Sequence, residues 1–297
     1  MTKVLIIGST PPPIGGVTRS IENLFNALKS KNIEVEIFSK QSLWKIKRFD
    51  IAHIHYSKSW KRFLGLMVGK LLAKRVIFTL HGNKYNDDFF NTLNAKLADG
   101  VIFLNDTVSR NYKNNFKKSI VLTSLFKEGI TKQIKQSNII DKKTEKIHLL
   151  VYAYDKVFQD GKDIYGIDFI LNNLNKLDEH FVVIFVDPKS AYKNDISNSK
   201  ENLIYLNYEV DFVSLLREVD MYIRPTSTDG NSVAIQEALM LGKKVVASDV
   251  VERGAGVIVY QYDNFEDFLE KLNGMNSYYK TYEPDSIVKY LDFIGRI

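Results

Sequence analysis

The chain has 297 residues, 45% of them apolar and none of them cysteine, with a formal net charge of +6. Such a length accommodates two ordinary domains, each with its own core, and the missing thiols exclude disulfides, thiolate zinc sites and a cysteine nucleophile. The charge is unevenly spread, because residues 1–148 carry 26 Lys/Arg against 11 Asp/Glu, a net +15, whereas the remainder carries 15 against 24, a net −9. A basic half of this kind either faces an anionic partner, nucleic acid or lipid head groups, or keeps the chain soluble through solvated lysines. No apolar run reaches the ~20 residues needed to cross a bilayer; the longest, Phe63 to Ala73, is interrupted by Gly65, Gly69 and Lys70. Met1-Thr2-Lys3 leads straight into Val4 to Ile7 without the pattern of a signal peptide, so a cytoplasmic location is expected.

Lys3 to Gly8 reads as a buried parallel strand ended by glycine, and a turn rich in Pro and Gly follows through Gly15 and Gly16. Val17, Ile21, Leu24, Phe25 and Leu28 recur at helical spacing, and Ile33 to Phe38 is the next strand. Further strands are expected at Ile51 to His55, Val76 to Leu80, Val101 to Leu104 and Ile120 to Thr123. Lys58 to Arg75 places Trp60, Phe63, Leu64, Met67 and Leu71 at helical spacing among six basic residues. It suits either an anionic membrane surface or a helix packed on the sheet with snorkelling lysines. The polar stretch Lys127 to Lys146 reads as a domain connection, after which the alternation restarts. Strands are expected at Ile147 to Tyr152, Phe181 to Val186, Leu203 to Leu206, Met221 to Arg224, Lys244 to Ser248 and Gly256 to Tyr260. Helices are expected near Asp168 to Leu177, Asp211 to Glu218, Ser232 to Leu241 and Phe265 to Leu272.

The fold class expected is therefore α/β, with two doubly wound, Rossmann-like parallel-sheet domains facing each other across a cleft. The expected boundaries are residues 1–130 for the first, with residues 280–297 able to complete it by crossing back, and 131–279 for the second.

The segment from Arg224 to Asp249 carries the most chemistry. A strand ends at Arg224, a helix is expected from about Asn231, and Gly242 is its C-cap. Asp229 and Gly230 lie just ahead of that helix, and the amides of Asn231, Ser232 and Val233 suit phosphate oxygens. Glu237, eight positions after Asp229 and about two turns into the helix, can point back along the same face and accept bonds from ribose hydroxyls. A plain helix cap and a surface carboxylate are the alternatives. The amides around Gly15 and Gly16 offer a second anion site or a simple turn, whose prolines do not fit the dinucleotide pattern Gly-x-Gly-x-x-Gly. His53 and His55 share a strand face and read as structural.

Asp229, Glu237, Ala238, Gly242, Val245, Ser248 and Asp249 match, at the right spacing, the signature of the retaining GT-B glycosyltransferases of family 4, which the chain resembles. Pro13-Ile14-Gly15-Gly16-Val17 resembles that family's Gly-Gly loop, and Thr79-Leu80-His81-Gly82 its Thr-x-His segment. The resemblance implies metal-independent transfer of a sugar from a UDP- or GDP-activated donor, with retention, to a glycan or lipid-linked acceptor in bacterial surface polysaccharide synthesis. It implies that Asp229 meets donor-sugar hydroxyls, Glu237 the ribose, Gly16 and the amides of residues 231–233 the phosphates, and His81 the reacting carbon. The family's pyrophosphate-clamping Arg and Lys are absent, since the strand runs on as Tyr152-Ala153-Tyr154 and Tyr165 precedes Gly166. Lys156, Lys162 and Arg224 are the candidate replacements. A basic first half would then hold the enzyme at the inner face of the membrane. The competing readings are a non-catalytic nucleotide-sugar-binding protein and a sugar-nucleotide epimerase or phosphorylase. A nucleic-acid partner is not expected, because it explains neither the Asp229 to Glu237 segment nor the acidic second half.

Overall fold

Unbroken runs of β-branched and aliphatic residues can be buried on both faces only if helices cover both faces of a parallel sheet, and the chain solves this twice. The structure, a computed structural model, describes residues 2–11, 15–44, 48–82, 88–129, 140, 145–196, 202–274 and 283–297. Its elements begin with β1 (Lys3–Ile7), α1 (Gly16–Ser30), β2 (Glu34–Ile37), β3 (Phe49–Ile54), α2 (Ser59–Leu72), β4 (Ala73–Leu80), α3 (Phe89–Leu97), β5 (Gly100–Phe103), α4 (Asp106–Tyr112) and β6 (Ser119–Val121). The second series is β7 (Ile147–Tyr152), β8 (Phe158–Gln159), β9 (Lys162–Asp163), α5 (Ile167–Asn173), β10 (Phe181–Val186), β11 (Leu203–Leu206), α6 (Phe212–Glu218), β12 (Met221–Arg224), α7 (Val233–Met240), β13 (Lys244–Ser248), β14 (Val257–Tyr260) and α8 (Phe265–Asn273). A last helix, α9 (Ile287–Arg296), follows.

The chain divides into one unit of Met1–Lys132, Gly230–Val233 and Glu283–Ile297, and another of Gln133–Asp229 and Ala234–Tyr282. In the first unit the sheet order is β2-β1-β3-β4-β5-β6, and in the second β11-β10-β7-β12-β13-β14, with parallel pairing throughout. These are the two doubly wound sheets that the alternation of strand and helix implies. Alternate residues of β1 enter different cores, Val4 and Ile6 packing beneath α1 while Leu5 and Ile7 pack on the other face. In the second unit Leu149 and Val151 of β7 enter one core and Leu150 the other.

α9 is built into the first unit. Ile287, Tyr290, Phe293 and Ile294 share a core with Val4, Ile6, Ile21 and Leu24. Its first turn is fixed by Glu128, which accepts from the Ser286 hydroxyl at 2.6 Å and the Ile287 amide at 2.9 Å, a carboxylate placed where the helix dipole favours negative charge. Thr123 N also donates to Asp285 Oδ2 at 2.9 Å.

Two boundaries differ from the sequence reading. The helical pattern Lys58 to Arg75 ends at Leu72, and Ala73 to Arg75 belong to β4, because Ala73 and Arg75 pair with Phe49 and Ile51 of β3. Sheet pairing here overrides local helical preference. α7 starts at Val233 rather than near Asn231, since Gly230–Val233 pack with the first unit. Of the connection expected at Lys127 to Lys146, residues 130–139 and 141–144 lie outside the described residues.

In open parallel sheets a ligand crevice forms beyond the strand carboxyl ends, where the strand order reverses. In the first unit that reversal lies between β1 and β3, and in the second between β7 and β12. The loop through Gly15 and Gly16 follows β1 and His55 follows β3; Ala153 follows β7 and Arg224 ends β12.

Candidate functional site

In the second unit, β12 delivers Arg224 into a cluster of buried charges. Arg224 donates to Asp229 through Nε at 3.2 Å and Nη2 at 3.0 Å, a two-pronged contact, and Arg253 Nη1 donates to the same carboxylate at 2.7 Å. The side chains of Asp229 and Arg253 are only 5% and 3% exposed. Arg253 is anchored further by its Nε, which donates to Ser248 O at 2.9 Å, while the Ser248 hydroxyl donates to Thr226 O at 2.7 Å. Burial alone would raise the Asp229 pKa, but the charges and hydrogen bonds of Arg224 and then Arg253 outweigh it and hold it at about 2. Burial opposes the charge on Arg224 in turn, and Asp229 more than restores it. The carboxylate expected to meet sugar hydroxyls thus gathers two guanidinium groups, and the trio carries a net positive charge at the strand ends.

α7 begins four residues after Asp229, which puts half-buried Glu237 one turn into the helix rather than two. Its C-terminus closes as the sequence implies, with Gly242 at φ 70° and Lys243 N donating to Ala238 O at 2.9 Å. Ahead of α7, Gly230, Asn231 and Ser232 are half-buried, and Val233, its first residue, is buried. The Asn231 amide group donates to the carbonyl oxygen of Leu104, inside the first unit. Among the described residues, no group of three or more His, Asp or Glu gathers in a way that could hold a metal ion.

The other two cations named from the sequence are engaged elsewhere. Lys156 Nζ lies 2.9 Å from Asp195 and 3.9 Å from Asp168, and it sits over the ring of Tyr192 at 5.2 Å. Lys162 Nζ lies 5.0 Å above the ring of Tyr262. Arg224, by contrast, has its guanidinium 6.0 Å from the ring of Tyr165, which precedes Gly166. Gly166 beside it is held at φ 68°, and a Cβ there would fall 1.8 Å from the Pro225 carbonyl oxygen.

In the first unit, Gly15 caps α1 in extended conformation (φ −160°), its amide donating to Thr18 Oγ1 at 2.9 Å. Both Gly15 and Gly16 are exposed, and a Cβ on Gly16 would meet Val233 only at an ordinary 3.6 Å. Neither backbone strain nor crowding therefore requires glycine at these two positions. With the Gly15 amide taken by Thr18, what the glycines leave is a helix start without side chains in front of it, which an anion can approach closely.

His81, after β4, is gripped by a neighbour. His55 Nδ1 lies 3.0 Å from His81 Nε2, and the rings of His53 and His55 stand 4.0 Å apart. His53 is fixed by Thr79 at 2.8 Å and by the Tyr290 hydroxyl of α9 at 3.2 Å. Burial lowers all three imidazoles, His53 to about 3 with help from His81, and His81 to about 4 with help from Arg62. His55 is lowered well below its usual value by burial and then by the other two histidines. The cluster is neutral at physiological pH, able to donate or accept hydrogen bonds but not to supply charge.

Two residues escape the sequence reading. His55 passes as structural because nothing local reveals a bond to a residue 26 positions away. Arg253 had one available signal, an arginine in the loop just past the strand ending Ser248-Asp249, at the carboxyl end of a parallel strand where ligands are expected.

No family model matches the chain. It is 22% identical over 305 aligned positions, 92% of this chain and 77% of the relative, to the Escherichia coli UDP-Gal:α-D-GlcNAc-diphosphoundecaprenol α-1,3-galactosyltransferase. Among solved structures it is similar to HepE of Anabaena in complex with UDP, at a TM-score of 0.65 and 13% identity over 92% of this chain and 89% of that one. It is also similar to sucrose-phosphate synthase of Thermosynechococcus elongatus, at a TM-score of 0.61 and 10% identity over 93% and 90%. The fold is that of the GT-B glycosyltransferases.

Proposed function

We propose that the chain is a retaining glycosyltransferase of the family 4 type, transferring a hexose from a UDP-activated donor to a lipid-linked or glycan acceptor. The observation that carries this reading is the start of α7. Asp229 and its two arginines stand together at the end of β12, the strand that borders the order reversal of the second sheet, and Glu237 lies on α7, the helix that follows. UDP is favoured over GDP because the E. coli relative acts on UDP-Gal and Anabaena HepE was solved with UDP and with UDP-glucose.

In this reading Arg224 and Arg253 take the place of the absent clamp, facing the diphosphate as it departs, and Asp229 orients them. The amides ahead of α7 add fixed dipoles, and Glu237 accepts from the ribose hydroxyls. Stabilising the leaving group in this preorganised way lets the bond to the anomeric carbon break. His81, held neutral by burial and by the Arg62 charge, offers hydrogen bonds to the donor sugar without competing as a base. The two guanidinium groups supply the positive charge that a divalent cation supplies elsewhere, so transfer is expected to survive a chelator. The acceptor belongs to the first unit, and the enzyme works in the cytoplasm.

The test is a thermal-shift series with UDP, GDP, UDP-galactose and UDP-glucose, followed by transfer to a diphosphate-lipid acceptor with and without chelator. Stabilisation by uridine nucleotides and a product of retained configuration, read by NMR, are expected. Indifference to every uridine nucleotide overturns the donor site. Binding without turnover on any acceptor turns the reading toward a nucleotide-sugar-binding protein.

A further inference from the structure

β8 and β9 are two residues each, joined by Asp160 and Gly161 at φ 53° and 75°. Both turn residues are left-handed, as the tightest hairpin loops require, and an Asp-Gly pair adopts that conformation at little cost. A lone hairpin of this size does not hold its shape in water. Here it is anchored by buried Asp163, whose carboxylate accepts from the Tyr165 amide at 3.0 Å, the Ile167 amide at 2.8 Å and the Tyr192 hydroxyl at 2.8 Å. Ile164 N, donating to Val157 O at 2.9 Å, closes the base. The anchored hairpin does not tuck its aromatic side chain away, since Phe158 is 54% exposed. Beside Phe158, within the second unit, lies a cavity of ≈ 240 Å³, walled by the hairpin, by α5 and by the turn between β14 and α8.

Phe158, Asp168, Phe169, Asn172, Tyr262 and Asp263 give the cavity its chemistry. Phe169 is fixed in place, its ring stacked 5.7 Å from that of Tyr260 and met edge-on by Phe268 at 5.6 Å. Three carboxylates, Asp163, Asp168 and Asp263, line the cavity against one ammonium, Lys162, so an anion is repelled. A cation fares no better. Lys162 Nζ lies 5.0 Å over the Tyr262 ring and Lys156 Nζ 5.6 Å over that of Phe158, where a ligand cation would seek an aromatic face. A neutral ligand with one apolar face and a polar rim meets neither obstacle. The volume falls below the roughly 300–1,000 Å³ of sites for drug-sized ligands and suits a single ring. We infer that this cavity is a saccharide site for one neutral hexose residue, its C–H face against Phe158 and Tyr262 and its hydroxyls bonded to Asp168, Asn172 and Asp263. Sugar hydroxyls match these groups because each can donate to a carboxylate and accept from an amide, and polarised C–H groups suit the negative faces of aromatic rings. Among the described residues, Asn172 and Asp263 have no side-chain hydrogen-bond partner, so both can turn to a ligand. The inference goes beyond the transferase reading. None of these side chains belongs to the cluster of Arg224, Asp229 and Arg253, and a saccharide can bind here whether or not a nucleotide binds there.

The experiment is amide chemical-shift mapping by NMR on the full chain, titrated at millimolar concentration with D-glucose, D-galactose and lactose, and separately with spermidine and inorganic phosphate. Saturable shifts with the sugars are expected at residues 158–162, 172 and 262–263. Tighter binding of lactose supports the site as one for a residue of a glycan, and equal binding supports it as one for a free monosaccharide. Phe158→Ala and Asp263→Ala should each weaken the sugar about tenfold. Both positions are exposed, so an unchanged melting curve separates loss of the site from loss of the fold. The titration is then repeated with UDP present. Sugar shifts that persist support a second site, whereas their competitive suppression, or shifts centred on residues 224–231, overturns the inference and returns the sugar to the candidate donor site. No saturable shift with any sugar overturns it too, as does a stronger response to spermidine or to phosphate. Because the sugar titration needs no nucleotide, a failure of UDP to bind leaves its outcome readable.

Discussion

At the scale of single residues, the energetics turn on charges that burial makes costly. Arg253 is 3% exposed and shares the Asp229 carboxylate with Arg224. Removing one partner of a buried pair leaves its counter-charge uncompensated, at about 3–5 kcal/mol. Here Arg224 softens that loss, so Arg253→Ala is expected to cost about 3 kcal/mol in denaturant unfolding. Its effect on ligands should be selective if the proposed function holds, weakening UDP far more than uridine in calorimetric titration, because in that reading the lost group faces phosphate. Arg253→Lys should recover part of the charge but not the forked geometry. Equal weakening of UDP and uridine would make Arg253 a scaffold residue only. The histidine cluster gives a pH signature of definite sign. Unfolded imidazoles bind protons near 6.5, whereas the folded state refuses them until about 3 for His53 and about 4 for His81. Stability is thus complete above the unfolded value and is lost as pH falls below it, by about 1 kcal/mol per histidine between about pH 7 and about pH 5.5. Urea midpoints at the two pH values should show a loss of roughly 3 kcal/mol, and His81→Gln should remove about a third of it. A flat profile over that window contradicts the neutral cluster.

At the scale of elements, the sheets are legible because parallel strands buried on both faces are uninterrupted apolar runs, and six of them read directly as β7, β10, β11, β12, β13 and β14. What sequence hides is whatever a distant partner decides. The end of α2 at Leu72 is set by pairing of Ala73 with Phe49, and the late start of α7 by packing of residues 230–233. The candidate donor segment can be read from the sequence for a related reason, since Asp229, Glu237 and Gly242 lie within one stretch of chain. The third member of its charge cluster lies 24 residues beyond Asp229 and cannot. Gly166 shows the same limit in reverse. Nothing in Tyr165-Gly166-Ile167 announces that the helix start of α5 is jammed against the Pro225 carbonyl, at 1.8 Å from any added Cβ, in a left-handed conformation. Gly166→Ala must shift backbone on both sides and is expected to cost at least about 2 kcal/mol. Because the displaced segment, Pro225, precedes Asp229, UDP affinity should fall along with stability. A melting temperature unchanged from the parent would mean the two segments relax freely.

At the scale of the whole molecule, the chain's last helix serves its first sheet. α9 completes the core beneath α1 and its Tyr290 hydroxyl braces His53, so the C-terminal residues are structural members of the unit that carries His81. The sequence reading has residues 280–297 crossing back to the first domain, without the sheet face they cover. Four of the α9 side chains are buried apolar groups, each worth about 1.5–3 kcal/mol when withdrawn from water. Their sum, about 6–12 kcal/mol, is of the order of an entire domain's stability. A chain ending before Glu283 is therefore expected to lose the folded first unit, exposing Val4, Ile6, Ile21 and Leu24, while the second unit keeps both its own cores. Amide exchange resolved along the chain distinguishes the two outcomes. Protection should vanish across β1 to β6 and persist across β7 and β10 to β14, and UDP should still slow exchange around Arg224 and Arg253. That pattern would locate nucleotide affinity in the second unit by itself. Should protection collapse across both units together, the second sheet depends on the first for its stability, and the affinity would have to be sought in the intact chain alone.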